Sequence, residues 1–196
     1  RYPSTVALGE INSEDSMSTL AEYTTAGTRL HMGYSFELLS HEFSAKHIKT
    51  TVEKFEAKKS DGWPCWAFSN HDVVRVVSRW GTRLTSREAR VAFAKSLIAL
   101  LGTLRGTICT YQGEELGLCE AVLEKHQLHD PFGIEFWPEF KGRDGCRTPM
   151  PWLDKVSGAG FSKVEPWLPI PREHLMNNVE SQQNDPNSVL FFFKSF

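Results

Sequence analysis

The stretch "WPCWAFSNHDVVR", residues 63–75, changes character at its centre. Trp66, Ala67 and Phe68 read as the end of a buried strand, after which Asn70, His71 and Asp72 arrive together with Arg75 close behind. A strand that finishes in a cluster of polar, titratable groups either turns into solvent or opens into a site. The segments on either side decide which sheet this strand joins, and so which of its ends would carry chemistry.

Toward the N-terminus, "TVALGEI" (5–11) is a short apolar run and "SMSTLAEYTT" (16–25) suits a helix. "LHMGYSFELL" (30–39) is strand-like again. "SAKHIKTTVEKFEAKK" (44–59) comes next, with Ile48, Val52 and Phe55 at helical spacing and Ser44 as its N-cap. Toward the C-terminus, Thr85 and Glu88 have the spacing of a capping box for "REARVAFAKSLIALLGTL", and "GTICTYQ" (106–112) makes a fourth strand. Short apolar strands separated by helices predict a parallel sheet covered on both faces.

Residues 1–116 therefore divide into four βα units. Residues 117–172 hold most of the prolines and little periodicity, which marks a long functional loop or one with small elements of its own. From 173 to 196 a helix begins, interrupted at 184–187. It stops on Leu190, Phe191, Phe192, Phe193 and Phe196, an apolar end that suggests a cut chain.

A length of 196 residues with 40% hydrophobic content suits one ordinary globular domain. The net charge of −2 offers no basic field for nucleic acid or anionic lipid, and no apolar run reaches membrane-spanning length. Cys65, Cys109, Cys119 and Cys146 form no C-x-x-C pair and read as reduced, scattered thiols. His126, His129 and Asp130 lack a second ligand pair and read as loop polar groups, so no metal is expected.

The polar residues gather at strand ends: Glu10 after the first, Asn70–Asp72 after the third, Gln112–Glu115 after the fourth. In parallel α/β proteins those ends carry the site. Two carboxylates at equivalent ends, one beside a histidine, point to acid/base chemistry on an uncharged polar substrate. Capped strand ends with solvated carboxylates are the alternative that the residues alone leave open.

"FSNHDVVR" resembles the segment closing the seventh barrel strand in the α-amylase family, glycoside hydrolase family 13. "ALGEI" resembles its fifth-strand segment and "YQGEELGL" its eighth. "GRDGCRTPMPW", "PWLPI" and "NVESQQNDPNSVL" are similar to segments downstream of the eighth strand in the α-glucosidase and oligo-1,6-glucosidase branch. The motifs stand in the family's order across nearly the whole chain. The resemblance implies a partial TIM (β/α)8 barrel, strands five to eight, with an extended loop after strand eight. Strands one to four would be absent, and with them the nucleophilic aspartate of strand four.

The family's roles carry over position by position. Glu10 would be the general acid/base, in an enclosed pocket with the nucleophile beside it. Asp72 would be the transition-state stabiliser and His71 a donor to the same sugar hydroxyls. Arg143 would fix the non-reducing end of a terminal glucose, with Arg147 beside it. Asn70 holds the turn, Arg75 anchors the site from below, and Tyr111, Gln112 and Glu115 pack the end of a strand.

The reading that results is part of a retaining, exo-acting α-glucosidase. It would act on a small α-glucoside or oligosaccharide such as maltose, without cofactor, in the cytoplasm. An oligo-1,6-glucosidase, a trehalose synthase, a sucrose-active relative and a non-catalytic transporter heavy-chain-like ectodomain are the alternatives. With open strand edges and no nucleophile, the isolated chain is expected neither to fold stably nor to hydrolyse α-glucosides.

Overall fold

The computed structural model describes residues 4–27, 29–58 and 61–196. Two compact units divide the chain. One runs to Phe68 and includes Leu100–Thr110; the other comprises Ser69–Ala99 and Tyr111–Phe196.

The first unit holds every strand among the described residues. β1 (Leu8–Ile11) pairs in parallel with β2 (Met32–Ser35), placing Glu10 opposite Tyr34. β3 (Cys65–Trp66) pairs in parallel with β4 (Thr107–Ile108), and a single parallel bridge from Gly33 to Pro64 joins the two pairs. Four parallel strands thus stand side by side in chain order, as the alternation of apolar runs predicts. They are shorter than the apolar runs themselves. β2 ends at Ser35 because the next residues turn into a 3-10 helix, Glu37–Leu39, that buries Leu38 and Leu39. Among the described residues the strands do not close into a barrel.

Helix α1 (Ser16–Thr24) begins where the Asp15 carboxylate accepts the Ser18 N–H at 3.2 Å. It lays Met17, Leu20 and Ala21 into the core. Gly33 permits that approach, since a Cβ there would sit 2.9 Å from Leu20 Cδ1 and 3.0 Å from Ile11 Cδ1. Helix α2 (Ala45–Glu56) is capped as expected, Ser44 Oγ accepting the His47 N–H at 3.0 Å. Its buried stripe is Ile48, Thr51 and Phe55, with Val52 only half-buried. Lys59, the last residue of the predicted helix, lies outside the described residues. Phe55 meets Trp66 edge-on at 6.2 Å, and the Trp66 indole N–H donates to the Arg105 carbonyl at 2.8 Å. Full coverage of the sheet does not result: Leu8 and Ile108 are each 47% exposed.

The second unit is helical and irregular. It contains α3 (Val76–Trp80) and the residues through Ala99 of α4 (Arg87–Thr103). The predicted Thr85 cap is displaced by one residue, because Ser86 Oγ accepts the Ala89 N–H at 3.1 Å. The long 117–172 segment does build small elements, among them α5 (Pro131–Glu135). A cluster of Ala121, Leu123, Leu128 and Leu168, with Trp137 against it, gives that segment a core of its own.

Three short helices complete the unit, α6 (Arg172–Met176), α7 (Val179–Gln183) and α8 (Val189–Ser195), so the expected interruption falls between α7 and α8. Buried Gln182 spans the break. Its amide donates to Leu116 O at 3.0 Å while its carbonyl accepts the Leu190 N–H at 3.1 Å. Leu190 packs with Leu116 and Leu118, whereas Phe196 remains exposed. Among the described residues no helix is long and apolar enough to cross a membrane.

Phe55 is the largest apolar side chain buried in α2. Phe55→Ala should therefore cost about 3–5 kcal/mol in the full-length protein, read as a lowered chemical-denaturation midpoint with an unchanged slope.

Candidate active site

The turn after β3 is built locally. Asn70 Oδ1 accepts the Asp72 N–H at 2.9 Å, an Asx turn that bends the chain as soon as the strand ends. This is the turn-holding role expected of Asn70. The bend leaves the His71 side chain 57% exposed and that of Asp72 32% exposed.

Two arginines from the segment "GRDGCRTPMPW" converge on Asp72. Arg143 donates to Asp72 Oδ1 at 3.1 Å and Arg147 donates to the same oxygen at 2.9 Å. Arg147 also donates through Nε to the His71 carbonyl at 2.8 Å, fixing the backbone of the turn. His71 Nε2 lies 3.6 Å from that same Oδ1. The second oxygen, Oδ2, keeps no protein partner among the described residues. Asp72 is thus a partly exposed carboxylate with one oxygen clamped by two arginines. His71, Asp72, Arg143 and Arg147 are brought together.

Arg143 is itself held by Asp130, a residue that the sequence presents only as a loop polar group. Nε donates to Asp130 Oδ2 at 2.9 Å and the terminal nitrogen to Oδ1 at 3.1 Å, a bidentate fork, while the Arg143 N–H adds a bond of 2.8 Å. Asp130 is buried and caps α5 through the Phe132 N–H. The Arg143 guanidinium holds the Asp130 carboxyl down at about 2, below the ordinary 3.8, and Asp130 in turn raises Arg143. Asp144, also buried, accepts the backbone N–H groups of His129 at 2.6 Å and Asp130 at 2.7 Å, steadying the loop behind the fork. The "DP" pair at 130–131 signals a helix cap, and nothing local announces that its carboxylate also pairs with an arginine 13 residues on.

Arg75 lies beneath, 1% exposed, with Nη1 donating to Gln112 O at 2.6 Å and Nη2 to Cys146 O at 2.9 Å. Its guanidinium stacks 5.5 Å from the Tyr111 ring centroid, and the Tyr111 hydroxyl reaches Cys146 O at 3.1 Å. These contacts match the anchoring and packing roles expected of Arg75, Tyr111 and Gln112. Glu115 accepts the Gly113 N–H at 2.7 Å. Glu114 is buried and Glu120 half-buried near Arg75 and Arg79, and loss of hydration pushes both carboxyls up to about 7.

Glu10 belongs to the first unit. Its carboxylate accepts a short hydrogen bond from the Tyr34 hydroxyl, its partner across the β1–β2 pair. The side chain is exposed, so the enclosure expected around a general acid is not supplied by the first unit. All four cysteines are free thiols. Among the described residues, no group of three or more His, Cys, Asp or Glu is arranged to hold a metal ion.

Parallel strands alternating with helices define the chain as an α/β protein. Comparison with known proteins gives the family. The model of the α-amylase catalytic domain matches residues 1–196. A probable alpha-glucosidase of Rhizobium meliloti (strain 1021) is 47% identical over 197 residues, covering 100% of this chain and 35% of that protein. An oligo-1,6-glucosidase of Heyndrickxia coagulans is 33% identical over 172 residues, covering 78% of this chain and 30% of its own length. The crystal structure of the alpha-glucosyl transfer enzyme XgtA superposes with a TM-score of 0.91 at 57% identity, covering 100% of this chain and 35% of that one. The chain belongs to the α-amylase family, glycoside hydrolase family 13. It spans about a third of the length of these relatives.

A carboxyl whose pKa folding lowers adds stability that is full above its unfolded value and fades as pH falls through the folded one. For Asp130 the window runs from about pH 4 down to about 2. Asp130→Asn should therefore lower the thermal midpoint at neutral pH, and the gap to wild type should narrow across that window. A gap independent of pH would remove the Arg143 pairing as its cause.

Proposed function

We propose that this chain is part of a retaining, exo-acting α-glucosidase that removes terminal α-1,4-linked glucose from short oligosaccharides such as maltose. The observation that carries the reading is family membership over the whole chain, with 47% identity to a probable alpha-glucosidase. The chain would supply strands five to eight of a TIM barrel, with residues 117–172 as the loop after strand eight. The four parallel strands in chain order support this placement.

Retention requires two carboxyl groups about 5–5.5 Å apart, one as nucleophile and one as acid/base. Glu10 is the acid/base. It protonates the departing glycosidic oxygen, then takes a proton from the water that releases the glycosyl-enzyme. The nucleophile comes from outside these residues. Asp72 stabilises the oxocarbenium-like transition state through Oδ2, the oxygen that the arginines leave unoccupied, by accepting from a ring hydroxyl of the sugar as charge develops. His71 donates beside it, and Arg143 and Arg147 hold the terminal glucose as well as the carboxylate. No cofactor enters, and free cysteines throughout agree with a cytoplasmic, reducing setting.

The second reading, an oligo-1,6-glucosidase, is favoured by the Heyndrickxia coagulans relative. Assay of the full-length protein on maltose, isomaltose, sucrose and trehalose separates them: the α-glucosidase reading expects maltose to give the highest kcat/KM. Glu10→Gln should lose activity on maltose on the order of 10²-fold more than on an activated aryl α-glucoside, because only the poor leaving group needs protonation. Equal losses would remove the acid role. Residues 1–196 alone should show no turnover of the aryl glucoside, and measurable turnover would overturn the need for an external nucleophile.

A further inference from the structure

The turn that carries Asp72 and the segment "GRDGCRTPMPW" that carries the two arginines meet at one half-buried carboxylate, which belongs to neither. Glu120 accepts the Arg75 N–H through Oε2 at 2.8 Å, three residues beyond Asp72. Its own N–H donates to Ser78 Oγ at 2.8 Å, in α3. On the other side the next N–H, that of Ala121, donates to the Gly145 carbonyl at 3.1 Å. The Glu120 carboxylate also lies so close to Gly145 that a Cβ there would run into Oε1. Gly145 sits midway between Arg143 and Arg147. One residue therefore touches the backbone of the turn that carries His71 and Asp72, and that of the loop that carries the two arginines.

Withdrawing a carboxylate from water, even in part, is costly unless neighbouring groups compensate. Arg75 and Arg79 face Glu120 and favour its charge, against a burial that disfavours it. Arg75 also reaches the arginine loop directly at Cys146 O. Removal of Glu120 would leave the Arg75 N–H without its acceptor and the Gly145 backbone without its buttress. Neither change touches a ligand. Both change the separation between Asp72 and the guanidinium groups that clamp its Oδ1.

We propose that Glu120 is a positioning residue for the glycosidase reaction: it sets the spacing between the Asp72 turn and the Arg143–Arg147 loop, and so aims Asp72 Oδ2 at the substrate. This rests on the reading of Asp72 under Proposed function. It identifies a specific residue, outside the cluster, through which that carboxylate is held.

The test is made in the full-length protein on p-nitrophenyl α-glucoside, with thermal midpoints recorded alongside. Glu120→Ala should lower kcat/KM by about 10–100-fold, mostly in kcat, because misplacement of a transition-state contact costs rate more than affinity. Glu120→Gln keeps an acceptor oxygen for the Arg75 N–H and should recover most of that loss. In an Asp72→Asn background the Glu120→Ala effect should shrink to about 2-fold, since the group it positions is gone.

An Ala variant as active as wild type overturns the proposal. So does a loss of equal size in both backgrounds, which would mark Glu120 as generally structural, and so does a Gln variant no better than Ala. If Glu120→Ala does not fold, Ser78→Ala removes the acceptor of the Glu120 N–H. It should lower kcat about 3-fold in wild type and leave Asp72→Asn unaffected, and equal kcat in the wild-type background overturns the inference. Absent turnover by the wild-type protein would sink the glycosidase reading and this one together. Turnover with an unaffected Glu120→Ala would sink this one alone.

Discussion

A buried guanidinium governs the second unit. Arg75 is 1% exposed, and a charge taken so far from water is tolerable only if hydrogen bonds replace most of its hydration. The replacements come from main-chain carbonyls of two separate segments, Gln112 O and Cys146 O, and from the face of Tyr111. Each bond that stabilises the charge therefore also fixes a loop. The irregular segments of this unit have little periodic structure to hold them, and Arg75 supplies the common point to which they are tied. Asp72 inherits its place from this arrangement, three residues upstream along a turn that Asn70 closes.

The same arrangement separates two kinds of arginine. Arg75 works through backbone oxygens and is shut away from any ligand. Arg143 and Arg147 both reach the Asp72 carboxylate, Arg147 adding a bond to the His71 carbonyl, and remain partly open. Arg143 divides its fork between Asp130, which is buried, and Asp72, which is not, so a rigid salt bridge inside the loop orients a contact at the surface. The depressed Asp130 carboxyl reflects how much of the guanidinium's field is spent within the protein. What remains is directed at a single oxygen of Asp72.

Much of this was readable from the residues. Parallel strands are implied by short apolar runs alternating with helices. The Ser44 cap, the turn at Asn70 and the break between α7 and α8 all depend on neighbours within a few positions, where local chemistry decides. Boundaries were less legible: the strands are shorter than the apolar runs because Leu38 and Leu39 find burial in a 3-10 turn, and Ser86 caps α4 in place of Thr85. Long-range pairing was least legible. Asp130 looks like a cap and is one, but its second role needs Arg143 folded back across the loop. Glu120 sits in "GLCEAV" with no motif around it, and only the approach of Gly145 and the Arg75 N–H gives it meaning. The family resemblance reached His71, Asp72, Arg143 and Arg147 and passed over Asp130 and Glu120, which brace them.

Two glycines show how crowded this anchor is. A Cβ at Gly113, whose φ is +90°, would come within 2.5 Å of the Arg75 guanidinium, and one at Gly145 would strike the Glu120 carboxylate. Each glycine lies against a charged side chain held by hydrogen bonds, Arg75 in one case and Glu120 in the other. A map of which positions tolerate substitution would therefore be strict at two residues with no side chain, tracing the outline of the contacts around Arg75 and Glu120. Read without the structure, such a map would point at the support and be taken for the catalyst.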